Sequence, residues 1–248
     1  TEPTQLTNTS TFTEPSCFGD TDGEITITTT GATPNYEYSI NGGTNWQNSN
    51  VFSNLSAGTY TINIEDDNDC PDVINVTVTE PTQLTNTSTF TEPSCFGDTD
   101  GEITITTTGA TPNYEYSING GTNWQNSNVF SNLSAGTYTI NIEDDNDCPD
   151  VINVTVTEPT ILNVSIANTI NVSCFGMSDG EVTINASGAT PNYEYSINGG
   201  TNWQSSNIFS NLSAGTYTID VKDAFDCTDN ITVTITEPTQ LTNTSTFN

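Results

Sequence analysis

The 248-residue chain carries 31 acidic residues against a single lysine and no histidine, a formal net charge of −30. That balance excludes nucleic-acid phosphates and disfavours anionic membrane surfaces, both of which need Lys and Arg, and it removes the commonest general base of enzymes. Charged residues make up only 13% of the chain, and the apolar ones alternate regularly, a pattern of folded strands rather than of a solvated polyelectrolyte.

Residues 1–78 recur identically as 79–156 and, diverged and one residue longer, as 157–235. Residues 236–248 restart the cycle as the first strand of a fourth repeat. A period of this length is too long for a solenoid coil and suits a small independent β domain. The reading is three domains excerpted from a longer array. Within the first copy, Gln5 to Phe12 is a Thr-rich first strand, and Glu24 to Thr30 alternates with Ile25 and Ile27 on one face. Asn35 to Asn41 places Tyr36, Tyr38 and Ile40 together, and Asn41-Gly42-Gly43 marks a tight turn. A less regular stretch carries Trp46. Val51 to Leu55, Thr59 to Ile64 and Val73 to Thr79 complete the set.

About seven short strands with turn signals between them predict an all-β chain of tandem immunoglobulin-like β-sandwich domains, arranged as a head-to-tail rod. NLSAGTY, Asn54 to Tyr60, has the form of a tyrosine corner. Copies join through Thr-Glu-Pro (Thr79-Glu80-Pro81, Thr157-Glu158-Pro159) with no Gly/Ser linker, so the array is expected to be stiff.

Six cysteines fall as two per copy: Cys17 and Cys70, Cys95 and Cys148, Cys174 and Cys227. Without His or a C-x-x-C pair they read as disulfides rather than zinc ligands, and disulfides imply an oxidising compartment. No apolar run is long enough to span a bilayer, so no direct membrane insertion is expected of this segment.

Connectivity follows from the strand order. In an immunoglobulin-like topology Cys17 lies after the first strand, at the bottom of its domain, and Cys70 in the last turn, at the top. A strand of about seven residues separates those ends by more than about 20 Å, whereas a disulfide needs Cα atoms about 5–6 Å apart. That favours pairing between repeats, Cys17–Cys148 and Cys95–Cys227, with the partners of Cys70 and Cys174 outside this window. Pairing within each repeat and free thiols remain open alternatives.

Acidic residues cluster at Asp20, Asp22 and Glu24 and again at Glu65, Asp66, Asp67 and Asp69, with Asp98, Asp100, Asp144 and Asp147 in the second copy. Alternating oxygen ligands beside Gly suit structural Ca2+, the one cofactor considered, although no twelve-residue calcium loop is present. The plainer reading is turns, where Asp, Asn and Gly are favoured for backbone reasons. The third copy speaks for caution, with Met177, Lys222 and Ala224 at three of these positions. Tyr36, Tyr38, Trp46 and Phe52 read chiefly as core, with Trp46 kept as a candidate for exposure and sugar stacking.

CFGDTDGEITI, GATPNYEYSIN, NLSAGTYTI, an acidic turn ending in Cys and a closing TEP, in this order, resemble the SprB-type repeat. That repeat occurs in very large cell-surface adhesins of gliding bacteria of the Bacteroidota, and the resemblance covers all three copies. It implies a parent protein exported to the cell exterior, attached at the outer membrane and moved by the gliding machinery. It implies no ligand site. The family pattern has Gly before the second Cys, where Asp69, Asp147 and Asp226 stand here.

The expected function is therefore a structural stalk, a filament segment of an extracellular adhesin for surface attachment and gliding motility, with neighbouring repeats as its partners. The alternative is a set of multivalent carbohydrate-binding modules acting on surface polysaccharide. No enzymatic constellation is expected.

Overall fold

A computed structural model describes residues 4–243. Among these residues the regular structure is entirely β. The first copy forms β1 (Thr7–Thr13), β2 (Gly23–Thr30), β3 (Glu37–Ser39), β4 (Val51–Leu55), β5 (Gly58–Glu65) and β6 (Pro71–Val78). The second forms β7 (Thr85–Thr91), β8 (Gly101–Thr108), β9 (Glu115–Ser117), β10 (Val129–Leu133), β11 (Gly136–Glu143) and β12 (Pro149–Val156). The third forms β13 (Asn163–Ile170), β14 (Gly180–Ser187), β15 (Glu194–Ser196), β16 (Ile208–Leu212), β17 (Gly215–Lys222) and β18 (Thr228–Ile235).

Each copy folds into two three-stranded antiparallel sheets, ordered β1-β2-β4 and β3-β5-β6 in the first and equivalently in the others. These are the A-B-E and C-F-G orders of an immunoglobulin sandwich without its additional edge strand. In the first copy Ile25 and Ile27 of β2, with Phe52 of β4 beside them, face Tyr38 of β3, Ile62 and Ile64 of β5 and Val76 and Val78 of β6 across one core. The intervening Thr, Glu and Asn residues of β2 and β5 turn outward or sit at the rim, the period-2 alternation that the sequence displays.

The strand count is six per copy rather than about seven. The stretch around Trp46 contributes only an isolated bridge from Gln47 to Tyr38. Its side chains bond their own backbone instead of leaving it to a ladder: Gln47 Nε2 donates to the carbonyls of Ser49 and Val51, and Asn41 Oδ1 accepts from Asn45 N. β3 is likewise shorter than Asn35–Asn41, because Asn35 takes a left-handed φ of 84° that breaks the extended run. Just before it, Gly31 has φ +88°, and a Cβ there would sit 2.1 Å from the carbonyl oxygen of Gln5. Only glycine fits.

By packing, the chain divides into two compact units that both draw on the second copy: Thr1–Ser88, Thr104–Asn128 and Thr139–Val154 in one, Thr89–Ile103, Val129–Tyr138 and Thr155–Asn248 in the other. In the second unit the third copy packs Val182, Ile184, Tyr195, Phe209, Ile219, Val221, Val233 and Ile235 together as its core. The extra residue of this copy is absorbed in β13, where the pairing with β14 skips from Ile166 to Asn168, a bulge that keeps the flanking register intact.

The tyrosine corner is present in all three copies. Tyr60, Tyr138 and Tyr217 donate from their hydroxyls to the carbonyls of Ser56, Ser134 and Ser213, four residues upstream, at 2.9, 2.9 and 3.0 Å. This bond fixes the entry into β5, β11 and β17, and with it the turns that follow them.

Candidate functional site: the stapled junction

Two loops carry nearly all of the sequence-predicted site residues. The loop between β1 and β2 is organised by Asp22, whose carboxylate accepts Ser16 N–H at 2.9 Å and Ser16 Oγ–H at 2.7 Å. Those bonds, the hydroxyl first, hold the Asp22 carboxyl below the ordinary aspartate range. Asp100 does the same for Ser94, at 2.9 and 2.6 Å. Asp20 and Asp98 receive only a 3.4 Å bond from the same serines and stay exposed.

A second anchor comes from the Thr-Glu-Pro segment. Glu80 Oε2 accepts Gly19 N–H at 2.8 Å, and Thr79 donates to Glu14. Glu158 holds Gly97 and Glu237 holds Gly176 in the same way. Sequence reading treats this glutamate only as a connector. Its recurrence directly after each last strand is the one signal that could have revealed the role.

The turn between β5 and β6 is built on Asp66, which is buried. One carboxylate oxygen accepts Asn68 N–H at 3.0 Å and Cys70 N–H at 2.9 Å, and the other accepts Thr33 N–H at 3.0 Å. Asp144 repeats this with Asn146, Cys148 and Thr111, and Asp223 with Phe225, Cys227 and Thr190. One oxygen of each carboxylate is thus directed at main-chain donors of the turn and the other at the loop between the second and third strands of the copy. Asp69, Asp147 and Asp226 have φ of 59°, 60° and 65°. They occupy the left-handed conformation that glycine would take, which aspartate tolerates better than most side chains. Glu65 stands opposite Glu37 in the β3–β5 register. Among the described residues no three or more of His, Cys, Asp and Glu are grouped to hold a metal ion.

These bonds set an acid limit. Asp22, Asp66, Asp100 and Asp179 all have folded carboxyls below their ordinary value. The stability they contribute is therefore present above the unfolded aspartate pKa and lost as pH falls through the folded values. The melting temperature of the native, oxidised chain is expected to hold flat from neutrality to mildly acidic pH and to drop below about pH 4. A melting temperature unchanged down to about pH 2 would contradict it.

The two loops meet through sulfur. Cys17 bonds Cys148 and Cys95 bonds Cys227, each with Cα atoms 5.6 Å apart. Each bond ties the loop after the first strand of one copy to the last turn of the following copy. Around the first, the Cys148 sulfur lies 3.3 Å from the Ser16 carbonyl oxygen, and the partners of both bonds on the turn side, Cys148 and Cys227, are buried at 6% and 8% exposure. Cys70 and Cys174 are free and exposed.

Lys222 marks a third feature. Its ammonium lies 2.8 Å from Asp226 Oδ1 and 3.3 Å from Glu194 Oε2, and 5.0 Å from the centre of the Trp203 ring. In the second copy the equivalent residue is Glu143, whose carboxyl is pushed up by burial and by the neighbouring Asp147 and Glu115. Glu143→Lys is expected to convert that repulsion into the pairing seen at Lys222. Denaturant titration should show a gain of about 0.5–1 kcal/mol that fades near 1 M salt. No gain, or one insensitive to salt, would contradict the assignment.

The aromatics are largely engaged inside. Tyr38 and Phe52 are core residues, and the Tyr36 hydroxyl donates to the Gly31 carbonyl at 2.6 Å. Trp46 is half-buried rather than exposed, lying along Gly43, where an added Cβ would come within 3.5 Å of the indole.

The SprB repeat family matches residues 9–45, 87–123 and 166–202. Each of the three copies thus contains one segment that matches the SprB repeat. Each matched segment runs from the first strand past Cys17, Cys95 or Cys174 to the turn before the tryptophan, so the last-turn cysteines fall outside it. No curated protein matches the chain significantly. Among solved structures, the three N-terminal domains of the bacteriophage RB49 highly immunogenic outer capsid protein align with a TM-score of 0.41 at 12% identity, over 95% of this chain and 100% of that one. Sidekick-1 immunoglobulin domains 1–5 align at 0.40 and 11% identity, over 96% and 60%. The titin I-band fragment I67–I69 aligns at 0.36 and 14%, over 96% and 100%.

Proposed function

We propose that these repeats form a load-bearing stretch of an extracellular adhesin stalk, in a cell-surface protein used for attachment and gliding. The observation that carries this reading is the covalent bond between successive repeats. The disulfides from the first loops of the first and second copies to the last turns of the copies that follow add a second covalent connection at both junctions. Such bonds persist only in an oxidising compartment. The charge of −30 suits a projecting element that must neither collapse on its neighbours nor adhere along its length.

The carbohydrate-module reading has less support. Tyr36, Tyr38 and Phe52 are committed to the core or to internal hydrogen bonds, which leaves one half-buried tryptophan per repeat as a stacking surface. Glycan-array binding and polysaccharide titration of the intact chain separate the two. The stalk reading expects no saturable binding. Saturable binding lost on replacing Trp46, Trp124 and Trp203 by alanine would overturn it in favour of binding modules.

A further inference from the structure

The turn after the third strand repeats one side-chain arrangement in all three copies, at Asn41-Gly42, Asn119-Gly120 and Asn198-Gly199. Asn41 Oδ1 accepts two hydrogen bonds, from Ser39 Oγ–H at 2.9 Å and from Asn45 N–H at 2.9 Å. Ser39 is 1% exposed, and its oxygen accepts Gly43 N–H at 2.9 Å, which leaves its proton for Asn41. Asn119 Oδ1 takes the same bonds from Ser117 and Asn123, at 2.9 and 2.9 Å, and Asn198 Oδ1 from Ser196 and Asn202, at 2.9 and 3.0 Å.

The other atoms of this turn that matter are unengaged. Asn41 and Gly42 are exposed, and among the described residues neither Asn41 Nδ2 nor Gly42 N–H has a hydrogen-bond partner. Gly42 has φ +69°, and a Cβ built there would meet nothing within 4 Å. Gly42 thus carries no side chain to shield its nitrogen, at a left-handed position that favours glycine. A held carbonyl oxygen, a free amide nitrogen and a free neighbouring N–H stand together at each of the three sites.

We propose that Asn41, Asn119 and Asn198 are self-modification sites at which the chain deamidates, with water as the only co-reactant. Solvent base takes the Gly42 N–H proton, and the nitrogen attacks Asn41 Cγ. The carbonyl electron pair moves onto Oδ1, where the buried Ser39 hydroxyl and Asn45 N–H stabilise the negative charge as an oxyanion hole does. The pair then re-forms the carbonyl, and Nδ2 takes a proton from water and leaves as ammonia. Water opens the resulting succinimide at either of its carbonyls, to aspartate or to isoaspartate. In sum, one amide and one water become one carboxylate and one ammonium.

The two products differ in consequence. Aspartate keeps an acceptor for Ser39 and Asn45 and preserves the turn. Isoaspartate routes the main chain through Cβ and Cγ, which lengthens the turn by a methylene and loosens the loop that bears Trp46. Either product adds one negative charge per copy to a chain that already stands at −30.

The test incubates the oxidised full chain in warm, mildly alkaline buffer and follows ammonia release, with peptide mapping to locate each conversion and to tell isoaspartate from aspartate. Asn41, Asn119 and Asn198 should convert first. They should convert faster in the native chain than in concentrated urea, because only the folded turn aims both donors at the oxygen. Ser39→Ala should slow Asn41 about tenfold, less than one donor is worth in a closed active site because this turn is open to water. Asn119 and Asn198 should keep their wild-type rates in that variant, which reports that the rest of the chain is folded. Asn48, exposed and followed by Ser49, should retain its amide. Three results would overturn the proposal: native conversion no faster than in urea, a Ser39→Ala chain whose Asn41 converts as fast as its Asn119, or Asn48 converting alongside Asn41 in the native chain.

Discussion

Replacing Cys17 and Cys148 together by serine is expected to cost the unit that holds them about 3–4 kcal/mol. The two cysteines lie 131 residues apart, and cross-linking a span of that length removes enough disorder from the unfolded chain to stabilise by up to about 5 kcal/mol in the loop-entropy model. The overlapping Cys95–Cys227 bond, whose span is 132 residues, already restricts part of the same segment, which lowers the figure. Thermal melts of wild type, the double variant and a Cys70→Ser control check it. The double variant should melt well below wild type, while the control, at an exposed free thiol, should stay within about 0.5 kcal/mol. Equal loss in the control, or none in the double variant, would place the stabilisation elsewhere.

Asp144→Ala is expected to cost about 3 kcal/mol. It leaves Thr111, Asn146 and Cys148 N–H without the carboxylate they share, and a buried donor stripped of its acceptor costs about 1–3 kcal/mol, less where water reaches it. Asp144→Asn keeps one acceptor oxygen and should lose about half as much. The neighbouring Asp145→Ala is the control. The third repeat already has Ala224 there, so its effect should be within about 0.5 kcal/mol. Because Asp144 fixes the Cys148 backbone, the alanine variant should also refold with a lower yield of the Cys17–Cys148 bond. Denaturant titration and peptide mapping read the two effects, and an Asp145 variant as damaging as the Asp144 variant would refute the role given to the turn.

The sandwich is legible in this sequence because each strand alternates cleanly and because NLSAGTY places one tyrosine at a fixed point of the topology. The missing seventh strand is less legible. Gln47 and Ser49 have no property that excludes a strand until their side chains are seen bonding the local backbone. The acidic clusters show the opposite difficulty. A density of carboxylates in a sequence looks the same whether they point at a cation or at main-chain N–H groups. For Asp66 the burial of the side chain and the direction of its two oxygens show bonding to main-chain donors, which no sequence pattern displays. Lys222 is similar, since its pairing with Glu194 depends on a cross-strand register between β15 and β17 that no local pattern encodes.

The claim at the centre of this account is that load passes between successive repeats through sulfur, and single-molecule extension of the chain held at its two ends tests it most directly. With both bonds intact, the shortest covalent path runs from Thr1 to Cys17, crosses to Cys148, returns to Cys95, crosses to Cys227 and continues to Asn248. That path is about 90 residue steps, so full extension should stop near 300 Å at about 3.4 Å per residue. After reduction the same molecules should extend to about 850 Å, the length of the whole chain. Oxidised molecules that reach the longer value would show that the repeats are not stapled as described.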